Sequence, residues 1–84
     1  MPLFRLLTED KNRTEIAGAV SAKFDSFTLV PATGYWHGQS ENALAIEIDT
    51  DRTADVYEVA RAIKSFNNQE AILLQRFAPE SQLL

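Results

Sequence analysis

The chain has 84 residues, 45% of them hydrophobic, and its 12 acids against 8 bases give a formal net charge of −4. That length makes one domain with a modest core, burying about 60–65% of its unfolded surface. The acidic balance disfavours non-specific nucleic-acid binding, which needs Lys and Arg to displace counterions from phosphates, and the absence of cysteine excludes disulfides, thiolate metal sites and a cysteine nucleophile.

The elements follow in chain order. Residues 3–8, LFRLLT, set Phe4, Leu6 and Thr8 on one side and Leu3, Arg5 and Leu7 on the other, a strand pattern. EDKN turns the chain, and Asn12 with Glu15 reads as a capping box. Ile16, Val20 and Phe24 recur every four residues, the apolar face of a helix, with Gly18 inside it as a mark of close approach to a sheet. A β-branched and aromatic run from about Phe27 to Trp36 predicts a second strand, and Pro31 within it predicts an edge or a bulge. HGQSE reads as a connection to a third strand, where Leu44, Ile46 and Ile48 alternate with Ala45, Glu47 and Asp49. Val56, Val59, Ala60 and Ile63 mark the second helix, capped by Asp51 or Thr53 and ended by Asn67 or Asn68 in the left-handed conformation. AILLQRF is the last strand, stopped by Pro79.

The order β-α-β-β-α-β predicts a ferredoxin-like α+β domain over residues 1–78, with residues 79–84 as a tail. Right-handed crossovers give a four-stranded antiparallel sheet with two helices on one face, strands one and three central. Phe4, Leu6, Leu44, Ile46, Ile48, Ile72 and Leu74 face the helices in this scheme. The other face then carries Leu7, Leu73 and Phe77 as an apolar patch suited to a partner, first of all a second copy of the chain.

No phosphate loop, dinucleotide fingerprint, zinc-protease motif or calcium loop occurs, so no catalytic residue and no cofactor is assigned. His37 is the only histidine, which leaves metal binding and a hydrolytic triad with Ser40 poorly furnished. Acid–base work by His37, Glu41, Glu47 or Glu70 is the weakest of the function classes. The densest stretch is ATGYWHGQSE. Adjacent Tyr35 and Trp36 point to opposite faces of a strand, so one ring can enter the core while the other is presented. Trp36 and Tyr35 with His37, Gln39, Glu41 and Arg76 form a candidate surface for a protein partner or a planar, nucleotide-like ligand. The N-terminal segment has too short an apolar run for a signal peptide and no stretch reaches a membrane span, so the expected setting is the cytoplasm.

With TEDKNR, ATGYWHGQSE, IEI and NNQEAILL in this order, the chain resembles a group of small uncharacterised ferredoxin-like proteins, often encoded by phages and mobile elements. The resemblance implies no catalytic residue. It implies either an inhibitor or adaptor acting by protein contact and self-association, or a protein that sequesters a small nucleotide.

Overall fold

The computed structural model describes residues 1–78. Its elements are β1 (Leu3–Glu9), α1 (Arg13–Ser21), β2 (Thr28–Trp36), β3 (Gln39–Asp49), α2 (Thr53–Phe66) and β4 (Leu73–Phe77). The strands form one antiparallel sheet in the order β2-β3-β1-β4. This is the ferredoxin-like arrangement, with β1 and β3 central. Pro79 and the expected tail at 79–84 lie outside the described residues.

Alternation along the strands builds the core. Phe4, Leu6, Leu44, Ile46 and Ile48 are buried against Ile16, Val20 and Phe24 from the α1 side and Val56, Val59 and Ile63 from α2. Ile72 and Leu74 pack partly buried at its margin, on the helix side as the alternation requires. At about 25 cal/mol per Å² of apolar surface, each fully buried Leu or Ile in this set contributes roughly 1.5–3 kcal/mol.

Several local expectations are corrected. Asn12 does not cap α1: it sits in the left-handed region at φ 59°, makes no side-chain cap bond, and its Nδ2 donates to Asn67 Oδ1 at 2.9 Å. Neither Asp51 nor Thr53 caps α2; Arg52 holds that position and its guanidinium pairs with Asp55 instead. A β-carbon on Gly18 would meet nothing within 4 Å, so this glycine marks no close approach. The second helix ends as expected, with Asn68 left-handed at φ 53°.

The link between β2 and β3 is shorter than HGQSE. Only His37 (φ 51°) and Gly38 (φ 78°) form the turn, both left-handed as in the type I′ hairpin, so Gln39, Ser40 and Glu41 belong to β3. The last β1–β3 pair is Glu9 with Ala43, while β2 and β3 stay paired out to Trp36 and Gln39. The hairpin therefore projects past the sheet by about 13 Å at the usual rise per residue.

Candidate functional site

The projecting hairpin is the first feature with chemistry to offer. Tyr35 pairs with Ser40 and Trp36 with Gln39, and alternation puts Tyr35 on the helix side and Trp36 on the open side of the sheet. Neither ring enters the core: Tyr35 is 75% exposed and Trp36 54%. The expectation that one would be buried fails because the tip lies beyond both helices. The ring of His37 meets that of Trp36 edge-on, with centroids 5.0 Å apart. Trp36, Gln39 and Glu41 share the open side with Gly34, and His37 stands at the turn beside them.

Arg76 is not part of this group. It pairs with Phe4 near the far end of β1, on the edge strand opposite β2. The sheet thus separates Arg76 from Trp36 along both of its dimensions. A single ligand cannot engage both in one copy.

The sheet face without helices is the second feature. Its residues line up in rows given by the register. One row, Leu73–Leu7–Ala45–Val30, is apolar across all four strands. Leu73 is 52% exposed and Val30 40%, while Ala45 is buried between its taller neighbours. The next row is polar: Gln75, Arg5, Glu47 and Thr28, with Arg5 Nη2 and Glu47 Oε2 3.0 Å apart. Phe77 lies beyond it, its ring under the Arg5 guanidinium at 5.1 Å. Leu7 and Leu73 therefore sit in one band and Phe77 apart from it, across the ion pair. Val30 was missed at the sequence level; pairing Pro31 opposite Leu44 would have placed it beside Ala45.

A third feature is a polar cluster where the β1–α1 and α2–β4 connections meet. Asn67 is buried, and its Nδ2 donates to Gln69 Oε1 at 3.0 Å and to Thr8 Oγ1 at 3.4 Å. Thr8 Oγ1 also donates to Gln69 Oε1, and Gln69 Nε2 donates to the Ala71 carbonyl at 2.9 Å. With Asn12 the cluster closes, and among the described residues no buried side-chain polar atom lacks a partner. Asn67 follows Ile63 at the spacing of the buried face of α2, the signal that could have marked it as interior. Nearby, the Arg13 guanidinium hydrogen-bonds Asp10 at 2.7 Å and holds its carboxyl below the usual value.

Beside the cluster, Arg61, Lys64, Ser65, Asn68 and Gln69 line a shallow, open depression. Among the described residues no group of three or more acidic or histidine side chains is placed to hold a metal ion. No described helix is long and apolar enough to cross a membrane.

No protein-family model matches the chain, and no curated protein sequence does. Solved structures do. A DUF3240 family protein from Shewanella baltica OS155 superposes with a TM-score of 0.67 at 10% identity, covering 99% of this chain and 93% of that one. CPII, a nitrogen regulatory PII-like protein from Thiomonas intermedia K12, solved with ADP, AMP and bicarbonate, gives a TM-score of 0.67 at 9% identity, covering 98% and 94%. At such identities the likeness is one of fold. Both are small ferredoxin-like folds, as the chain's resemblance implies, and neither is described as a phage or mobile-element protein.

Proposed function

We propose that this chain is a non-enzymatic adaptor module that works by protein contact and associates with copies of itself through the open face of its sheet. The observation that carries the proposal is the apolar row Leu73–Leu7–Ala45–Val30, uncovered by any described helix. Large apolar side chains left in water on a domain this small mark a contact surface. The Arg5–Glu47 pair beside the row would set orientation more than strength, since a partly exposed pair contributes at most about 1 kcal/mol. An inhibitor role in a phage setting would use the same surface, but neither structural neighbour speaks for it.

The test is light scattering of the full chain across a concentration series. Wild type is expected to grow in mass with concentration, and Leu73→Lys, a change at an exposed position, to weaken that growth. A wild-type chain that remains monomeric at high micromolar concentration sinks the proposal.

A second reading is supported by the ADP and AMP bound to the PII-like neighbour. The chain would bind a small phosphate-bearing ligand, with Arg61 and Lys64 at the depression by α2 as its cations. Calorimetric titration with ADP and AMP decides it, and an absence of heat at millimolar nucleotide removes it.

A further inference from the structure

The outer edge of β2 is long and uncharged. Strand edges are normally guarded by charge, proline, bulges or short length, and Pro31 is the one such guard on β2. The strand runs from Thr28 to Trp36 without a bulge, pairing one-to-one with β3 throughout. No Asp, Glu, Lys or Arg occurs between Asp25 and Glu41. In a two-residue hairpin the residues flanking the turn exchange both backbone hydrogen bonds. Trp36, Gly34, Ala32, Val30 and Thr28 thus spend their backbone groups on β3. Leu29, Pro31, Thr33 and Tyr35 aim theirs outward. Pro31 stands at an outward position, where its missing N–H costs β2–β3 nothing.

We propose that this edge pairs antiparallel with β2 of a second copy, about a two-fold axis at Ala32, to give one continuous sheet. The proposal rests on the reading that the chain self-associates and adds a contact along the strand edge, which shares only Val30 with the open-face row. Ala32 is the middle residue of β2, so this register overlays the strand on itself end to end. Every outward N–H then finds a carbonyl: Leu29 and Tyr35 exchange bonds across the axis, and Thr33 donates to Pro31 of the second copy. Centring on Pro31 would set two residues without N–H against each other, and centring on Thr33 would leave the Leu29 amide unpaired.

The side chains agree with the register. On the helix side, exposed Tyr35 meets Leu29 of the second copy, an aromatic–aliphatic pair. On the open side, Val30 lies over Gly34 of the second copy with Trp36 as its diagonal neighbour, so two exposed apolar side chains cover each other. Small residues, Ala32 and Gly34, sit where the two strands come closest. No like charges oppose each other anywhere along the strand. The second copy is favoured over an unrelated peptide because this complementarity is the strand's own.

The chain has no cysteine, so a single introduced one reads the geometry directly. Across the axis, Ala32 faces its own mate as a non-hydrogen-bonded pair, with Cα atoms about 4.5 Å apart, inside the disulfide range. Stacked open faces would leave the same positions about 10 Å apart, too far to bridge. Mild oxidation of full-length Ala32→Cys is expected to give a reducible covalent dimer, and Thr28→Cys, placed opposite Trp36, is not. Independently, Thr33→Pro removes an outward amide that the monomer does not use, and should raise the dimer Kd at least about tenfold, with the circular-dichroism spectrum kept. Ala32→Cys cross-linking no faster than Thr28→Cys overturns the edge pairing. If Leu73→Lys then still abolishes association, the open-face reading stands without it. If cross-linking succeeds while Leu73→Lys changes nothing, the edge pairing stands and the open-face contact falls.

Discussion

At the scale of single residues, Asn67 is a buried polar side chain outside the apolar core. It is buried at 2% exposure and holds Thr8, Asn12 and Gln69 together across two connections. Removing its amide takes three hydrogen bonds from the cluster, each worth about 0.5–1.5 kcal/mol net. Asn67→Ala is therefore expected to lower the unfolding free energy by about that amount or more, measured by urea denaturation. An unchanged midpoint would show that water replaces the amide at no cost. Sequence reading gave Asn67 the lesser task of ending α2, because pattern alone does not say which helix end meets another loop.

At the scale of elements, α1 is the weak one. It is nine residues long, has no side-chain cap and carries an exposed glycine in its interior. An isolated helix of that length is marginal, so packing of Ile16 and Val20 holds it in place. Because a β-carbon at Gly18 meets nothing, Gly18→Ala should stabilise the protein by about 0.5–1 kcal/mol, seen as a higher denaturation midpoint. A loss of stability would mean that the glycine serves a conformation other than this helix. The hairpin of β2 and β3 is the opposite case. Its turn is well matched to strand twist, yet its distal half lies outside the core, so local turn chemistry and strand pairing sustain it without burial.

At the scale of the whole molecule, the long axis of 39 Å against 25 and 19 Å describes a small domain with an arm. The arm and the uncovered face together leave Val30, Tyr35, Trp36, Leu73 and Phe77 in solvent. A partner that binds only the folded state stabilises it by mass action. If association covers these residues, the melting temperature should rise with protein concentration, by scanning calorimetry between low and high micromolar chain. A concentration-independent melt argues for a stable monomer and against both proposed contacts.

Two periodicities in the sequence determined the element order, the strand and helix faces and the antiparallel sheet. Alternation at 44–48 and the three-and-four spacing at 56–63 each admit one burial direction. Pro31 announced an edge strand for an equally local reason, its missing amide. Tertiary structure alone decided where those strands stop relative to one another. It is register that ends β1 at Glu9 while β2 and β3 run on, that leaves both Tyr35 and Trp36 in solvent, and that sets Arg76 at the far end of the sheet. Alternation and turn chemistry set which face each residue takes, but how far one strand outruns its neighbour depends on contacts distant in sequence, which leave no periodic trace in the chain itself.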